Sequence, residues 1–317
     1  MGPRVQQFET ETAKYIGVKY AVATNNGTSA IDTMLKTIGI RRGDEVIIPS
    51  LTYKATENMV LYNQAIPVFI DIDDTLNIDP SLIEREITRR TKAIMNIDYG
   101  GNPADYITLK KIAEQHNIPL LTDGAQSFGS LFHNHQCLTY GQMSTTSFHQ
   151  AKILTTVEGG MVFTNNKRQR DVSRVIRNQG QQGRFNHVML GNNYRMTDIT
   201  ASMGVSQIQR FQHTLQLRLQ KATYYKEHLK DAGYPVELPF SRQNYFLFLI
   251  YVEDQRKMIR YLTHAGVETR MYQPLYDTPV ALEASEHIIS LPMYHSLTRE
   301  KQDYVIRKIN GFQKSKH

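Results

Sequence analysis

The sequence predicts an α/β protein, with a mostly parallel sheet sandwiched by helices and a smaller α+β unit at its C-terminal end. Three observations lead there. Short apolar runs recur through the first two-thirds of the chain, separated by stretches of helical composition, the pattern of strands buried on both faces. Turn residues such as Asn25-Asn26-Gly27 punctuate the passages. From residue 198 to 231 there is no proline and the one glycine is Gly204, which predicts a single long helix leading out of the sheet region.

Taken in order, strands are expected at 20–24, 45–49, 67–72, 93–97, 118–122, 144–148 and 160–164, each an apolar run bounded by polar or turn residues. Helices are expected at 28–38, 53–62, 80–88 and 106–116. For the third of these, Asp79 supplies an N-cap and Pro80 the first helical position. After the long helix come a strand at 245–251 and helices at 254–265 and 298–312. The final Lys314-Ser315-Lys316-His317 reads as a frayed tail. A chain of 317 residues has room for two modest domains, and the division is expected as 1–212 and 213–317. Ligands of such sheets sit at the carboxyl ends of the strands.

Hydrophobic content of 40% and charged content of 21% are ordinary for a globular protein. No 18-residue apolar run is present, so no membrane span is expected. The start, Met1-Gly2-Pro3-Arg4-Val5-Gln6, lacks the apolar stretch of a secretory signal. Cys137 is the single cysteine, which precludes an internal disulfide and fits a reducing cytoplasm. The net charge of +7 comes from scattered pairs such as Arg41-Arg42, Arg89-Arg90 and Lys110-Lys111. Without a basic-aromatic motif or zinc-knuckle spacing, nucleic acid is not an expected partner. Anionic small molecules suit the balance better.

The chemistry lies in three ordered residues. Leu120-Leu121-Thr122-Asp123 is an apolar run ending in an aspartate; Ser147 follows 24 residues later, and Lys152 five residues after that, at the end of an apolar strand and ahead of Glu158-Gly159-Gly160. An enzyme using pyridoxal phosphate needs this set. A carboxylate keeps the cofactor's ring nitrogen protonated, a hydroxyl helps hold the phosphate, and a lysine that loses its proton when desolvated can bond the aldehyde and later carry protons. Singly, each residue has a plainer reading, as a solvated charge or a helix cap. Asn26-Gly27-Thr28-Ser29-Ala30 joins a strand to a helix. A helix start offers free N–H groups and a favourable dipole to an anion, so Thr28 and Ser29 join Ser147 as candidate phosphate ligands. A simple N-cap is the alternative.

These motifs carry a resemblance. The chain resembles the DegT/StrS family of pyridoxal-phosphate-dependent nucleotide-sugar aminotransferases, within the fold-type-I aspartate aminotransferase superfamily. The resemblance begins at Gly2-Pro3-Arg4-Val5-Gln6-Gln7-Phe8-Glu9 and continues through Asn26-Gly27-Thr28-Ser29, Asp98-Tyr99-Gly100-Gly101-Asn102-Pro103, Asp123-Gly124-Ala125-Gln126, Ser147-Phe148-His149 with Lys152, and Gly191-Asn192-Asn193-Tyr194-Arg195-Met196. It implies that Lys152 bonds the cofactor as an imine, Asp123 partners its ring nitrogen, and Gln126 lies beside the ring. It implies that Thr28, Ser29 and Ser147 hold the phosphate, and that Asn193 reaches the phosphate of a neighbouring subunit, hence a homodimer with shared sites. Relatives with histidine in place of the lysine deoxygenate sugars, so Lys152 implies transamination, with glutamate as the expected donor and a nucleotide-linked keto sugar as acceptor. A lyase or dehydratase of the same fold and a catalytically silent regulatory protein are the rival readings. Three departures stand out. The family usually carries a segment ahead of the Gly-Pro stretch, where this chain begins; Gly124 occupies a position usually held by another small residue; and the ring-stacking aromatic is open, with Tyr53 as candidate, ordinary core as its alternative and Glu57 nearby. Specificity is expected to reside in loops 181–187 and 270–276.

Overall fold

The computed structural model describes residues 1–314. Twelve strands and nine α-helices occur among them. The central sheet holds β1 (Tyr20–Thr24), β2 (Glu45–Pro49), β3 (Ile66–Ile70), β4 (Thr91–Ile97), β5 (Leu120–Asp123), β8 (Met143–Ser147) and β9 (Gly160–Thr164), in the order β1-β9-β8-β5-β4-β2-β3. Pairing is parallel from β8 through to β3, and β9 runs antiparallel to both its neighbours, β1 and β8. Six strands therefore end at one edge, and β9 begins there. The small strands β6 (Leu131–Phe132), β7 (His135–Gln136) and β10 (Ser241–Arg242) form a separate sheet.

Strand alternation divides the core into two layers. Val22, Val46, Ile48, Ala93, Met95 and Val162 face α2 (Gly27–Ile38) and α3 (Lys54–Tyr62). Ile47, Ile94 and Leu120 face α4 (Tyr106–Gln115), while Ala21, Ala23, Met161 and Phe163 face α1 (Pro3–Ile16) and the first half of α6 (Asp198–His228). The helix α5 (Lys167–Ile176) packs against α2 and β1. The second half of α6 enters a different core with β11 (Phe248–Tyr251), α7 (Gln255–His264), β12 (Ile288–Leu291) and α9 (Arg299–Lys314). One helix thus threads both hydrophobic clusters. The remaining helix, α8 (Pro279–His287), is capped from the sheet region: Asp71 accepts from the Val280 and Ala281 N–H groups at 2.9 and 3.0 Å and from the Thr278 hydroxyl at 2.6 Å. Burial opposes its charge, but these bonds prevail and lower its pKa. No helix among the described residues is long and apolar enough to cross a membrane.

Several expectations need correction. The segment 80–88 is not an α-helix but two 3-10 turns, Pro80–Leu82 and Glu84–Glu86, although Asp79 does cap the first by accepting from the Ser81 N–H. The strand expected at 245–251 begins only at Phe248. The long helix is continuous but stops at His228. Lys152 does not end a strand: β8 stops at Ser147, and Lys152 lies in a turn whose N–H donates to the His149 carbonyl at 2.9 Å. Lys314 belongs to α9, and the rest of the expected tail, Ser315-Lys316-His317, lies outside the described residues. The polar helices α1, α5 and α8 and the strand β12 had not been anticipated.

At the crossing of α1 and α6, a Cβ on Gly204 would lie 2.6 Å from the fully buried ring of Phe8. Gly204→Val is expected to cost about 1–3 kcal/mol through overpacking. Thermal unfolding checks this; an unchanged midpoint would mean that the two helices do not pack this closely.

Candidate active site

The site forms where the parallel strands end. After β1, Asn26 caps α2 by accepting from the Ser29 N–H at 2.8 Å, and its carbonyl accepts from the Ala30 N–H at 3.2 Å. The Ser29 N–H is thus taken by the cap and Ala30 makes the first intrahelical bond, which leaves the N–H groups of Gly27 and Thr28 at the helix start for an anion. Thr28 is exposed, whereas Ser29 is buried, its N–H already committed. The end of β8 lies against this turn: a Cβ on Gly27 would sit 2.7 Å from Ser147 Cβ and 3.0 Å from its Oγ. From the other side β9 begins at Gly160, where a Cβ would meet the Asn26 carbonyl at 2.2 Å. Two glycines thus allow Ser147 and the helix start to share one concave surface.

At the end of β5, Asp123 is buried. Its Oδ2 accepts from the Thr56 hydroxyl at 2.9 Å and its Oδ1 from the Ala125 N–H at 3.2 Å. Burial raises its pKa, against the lowering effect of these two bonds and of the Lys152 charge. Thr56 is itself held by Thr52, with the two hydroxyls 3.0 Å apart. Lys152 shows the converse balance. Burial lowers its pKa to about 8, while Asp123 pulls it upward. The lysine lines a cleft of about 690 Å³, together with Arg218, Phe246, Arg270 and Tyr272. Arg270 and Tyr272 thus place part of loop 270–276 at the cleft.

Gln126 uses its Oε1 to accept from the Gly100 N–H at 2.7 Å, which leaves its amide donor for a ligand. Tyr53 is the N-cap residue of α3 and 72% exposed, so the alternative of ordinary core packing is wrong. Asn193 is exposed too. Its segment is tied down by its neighbours, since the Tyr194 carbonyl accepts from the Asn25 N–H at 2.9 Å and the Tyr194 N–H donates to the Arg177 carbonyl at 3.0 Å. The structure thus brings the helix start at Gly27 against Ser147 and Asp123 beside Lys152, while Asn193 is exposed on its own chain. Sequence reasoning missed Thr56, Arg218, Asn244 and Phe246. Each comes from an element remote in the chain, and nothing in its immediate sequence marks it.

With this geometry in hand, comparison with known proteins identifies the class. The chain belongs to the DegT/DnrJ/EryC1/StrS aminotransferase family, whose model matches residues 1–310. Among curated relatives it is 33% identical to a GDP-perosamine synthase of Escherichia coli O157:H7, covering 99% of this chain and 92% of that protein. It is 32% identical to the UDP-2-acetamido-2-deoxy-3-oxo-D-glucuronate aminotransferase of Pseudomonas aeruginosa, covering 93% and 86%. A crystal structure of a family aminotransferase from Brucella abortus superposes with a TM-score of 0.93 at 30% identity, covering 98% of this chain and 91% of that one. The resemblance seen in the motifs and the α/β fold of the superfamily are both borne out.

The residues fit the cofactor this family implies. The anion cradle has two uncommitted N–H groups and adjacent hydroxyls, the buried carboxylate is held by two donors, and the amine is partly neutral near physiological pH. Thr56→Val should raise the Asp123 pKa further, because a hydrogen bond to the charged form is lost. The acid limb of cofactor binding, followed by absorbance, should move to higher pH. An unmoved limb would remove Thr56 from the site's electrostatics.

Proposed function

We propose that this chain is a pyridoxal-phosphate-dependent aminotransferase that converts a nucleotide-linked keto sugar to an amino sugar, with glutamate as donor. The observation that carries this reading is Lys152, its pKa lowered to about 8 by burial while a buried carboxylate, Asp123, acts on it from the same site. The names of the two curated relatives, which are those of nucleotide-sugar enzymes, support the acceptor class. Pyridoxal phosphate, when bound, supplies the electron sink that makes amine transfer between carbon skeletons feasible.

The chain's own residues divide the remaining work. Gly27 and Thr28 offer N–H groups at the positive end of the α2 dipole, and the hydroxyls of Thr28, Ser29 and Ser147 complete a phosphate site. Asp123 would present its carboxylate to the cofactor's ring nitrogen, and hydrogen bonds from Thr56 and Ala125 favour its ionised form against burial. Gln126 and Tyr53 would contact the cofactor's ring. Lys152 moves protons: with a pKa of about 8, roughly a quarter of it is neutral at pH 7.5, so it can accept a proton and return it at the same Nζ. The two lobes, 1–212 and 213–317, enclose the cleft, and Asn193 serves the phosphate site of a second copy in a cytoplasmic homodimer. Its exposure supports that placement.

Purified protein incubated with glutamate and GDP- or UDP-linked keto sugars should form the amino sugar and 2-oxoglutarate in equal amounts. Lys152→Ala should lower turnover at least about a hundredfold, the scale of a lost general acid–base group. Loss of water or oxygen from the sugar without amine transfer would favour a lyase or dehydratase instead. Mixing Lys152→Ala chains with Asn193→Ala chains tests the shared site. After subunit exchange, activity should return, because one site of each heterodimer then carries neither defect. A fully exchanged mixture as inactive as its parents would place Asn193 in the service of its own chain.

A further inference from the structure

The Lys152 amine has a second neighbour besides Asp123. Its Nζ lies 4.3 Å from the centroid of the Phe246 ring, within the range of a cation–π contact. That ring is presented with unusual care. The Phe246 N–H donates to Asn244 Oδ1 at 2.8 Å, and its carbonyl accepts from Arg218 Nη2 at 2.8 Å. Arg218 also donates from Nε to the Tyr245 carbonyl at 2.7 Å. Both backbone polar groups of Phe246 are therefore held by side chains.

The flanking residues are stitched to the sheet region. Asn244 is buried and donates from Nδ2 to the carbonyls of Gln126 and Phe128 at 2.8 and 3.0 Å. The Leu247 N–H donates to the Gly100 carbonyl at 3.0 Å. A Cβ on Gly101 would lie 1.9 Å from Asn244 Oδ1, so the stitch requires glycine there. Tyr245 adopts a φ of 52°, a left-handed conformation costly for a residue with a side chain. Between these anchors stands the ring that faces the lysine's charge.

The electrostatic surroundings give that ring a task. Arg210, His213 and Arg218 of α6, with Arg270 and His295, line the same cleft, and their cationic forms repel an ammonium. Glu268 is bonded to Arg270. Asp123 and the negative face of the Phe246 ring are thus the favourable partners left to Lys152.

We propose that Phe246 is a positioning residue for Lys152, its ring face giving the side-chain ammonium a fixed resting place inside the cleft. The contact itself does not depend on the cofactor reading; its value to catalysis rests on Lys152 being the proton carrier proposed above.

The test uses the full chain freed of cofactor. Lys152 is labelled competitively with acetic anhydride across a pH series and quantified by peptide mass spectrometry, which gives the midpoint of its titration. Phe246→Leu keeps apolar bulk and removes the ring face. Its midpoint should fall by about half to one unit, with labelling at pH 7 rising about 2.5- to 5.5-fold. Phe246→Tyr, which keeps the ring, should retain the wild-type midpoint. Phe246→Met supplies the same loss of ring should the leucine variant not fold. An unmoved midpoint in the ring-less variants, a midpoint that rises, or a tyrosine variant that shifts as far as leucine would each overturn the proposal. Because no cofactor or sugar takes part, the outcome is separate from whether the chain is an aminotransferase.

Discussion

Asp123 is enclosed by protein at the end of β5, where burial alone would favour its neutral form. The Thr56 hydroxyl, the Ala125 N–H and the Lys152 charge oppose that tendency. The same burial favours the neutral form of Lys152, and the same pair attraction opposes it. Each group restrains the shift of the other. A carboxylate that stays available to a cationic ring nitrogen and an amine that titrates near neutral pH follow from one dry environment shared by two opposite charges. Either group alone would drift to its uncharged form.

The sheet makes that environment possible. Six strands end at a common edge and β9 starts there, so the α2 helix start, Ser147, Asp123 and the turn carrying Lys152 converge although they span most of the first half of the chain. Close approach is settled by glycine. Side chains at Gly27 or Gly160 would separate the helix start from Ser147 or from β9. The far wall of the cleft comes from residues after α6, tied to the sheet region by the Asp71 cap of α8 and by the Asn244 stitch.

Much of this was legible in the sequence, for a physical reason. β1, β2 and β9 match the expected spans residue for residue, because each is an apolar run buried on both faces and bounded by turn or polar residues. Asp123, Ser147, Thr28 and Lys152 were picked out because the chemistry of one cofactor demands those residue types, although only Asp123 and Ser147 end strands. The polar helix α5 went unseen because it buries only Ser173 and Ile176, so its composition resembles a loop. The strand at 248 was placed too early because residues 244–247 leave the strand conformation to bond the sheet region, a constraint that lies outside the local sequence. Thr56 and Phe246 were invisible for the same reason: their partners are Asp123 and Lys152, far along the chain.

Family membership, the anion cradle and the Asp123–Lys152 pair converge on one lysine as the point of attachment. Reduction of the cofactor-loaded protein with borohydride, followed by peptide mapping, tests this most directly. A pyridoxyl group on the peptide containing Lys152, and on no other lysine, is the expected result. A reduced adduct on a different lysine, or none in protein that binds the cofactor and turns over, would contradict it.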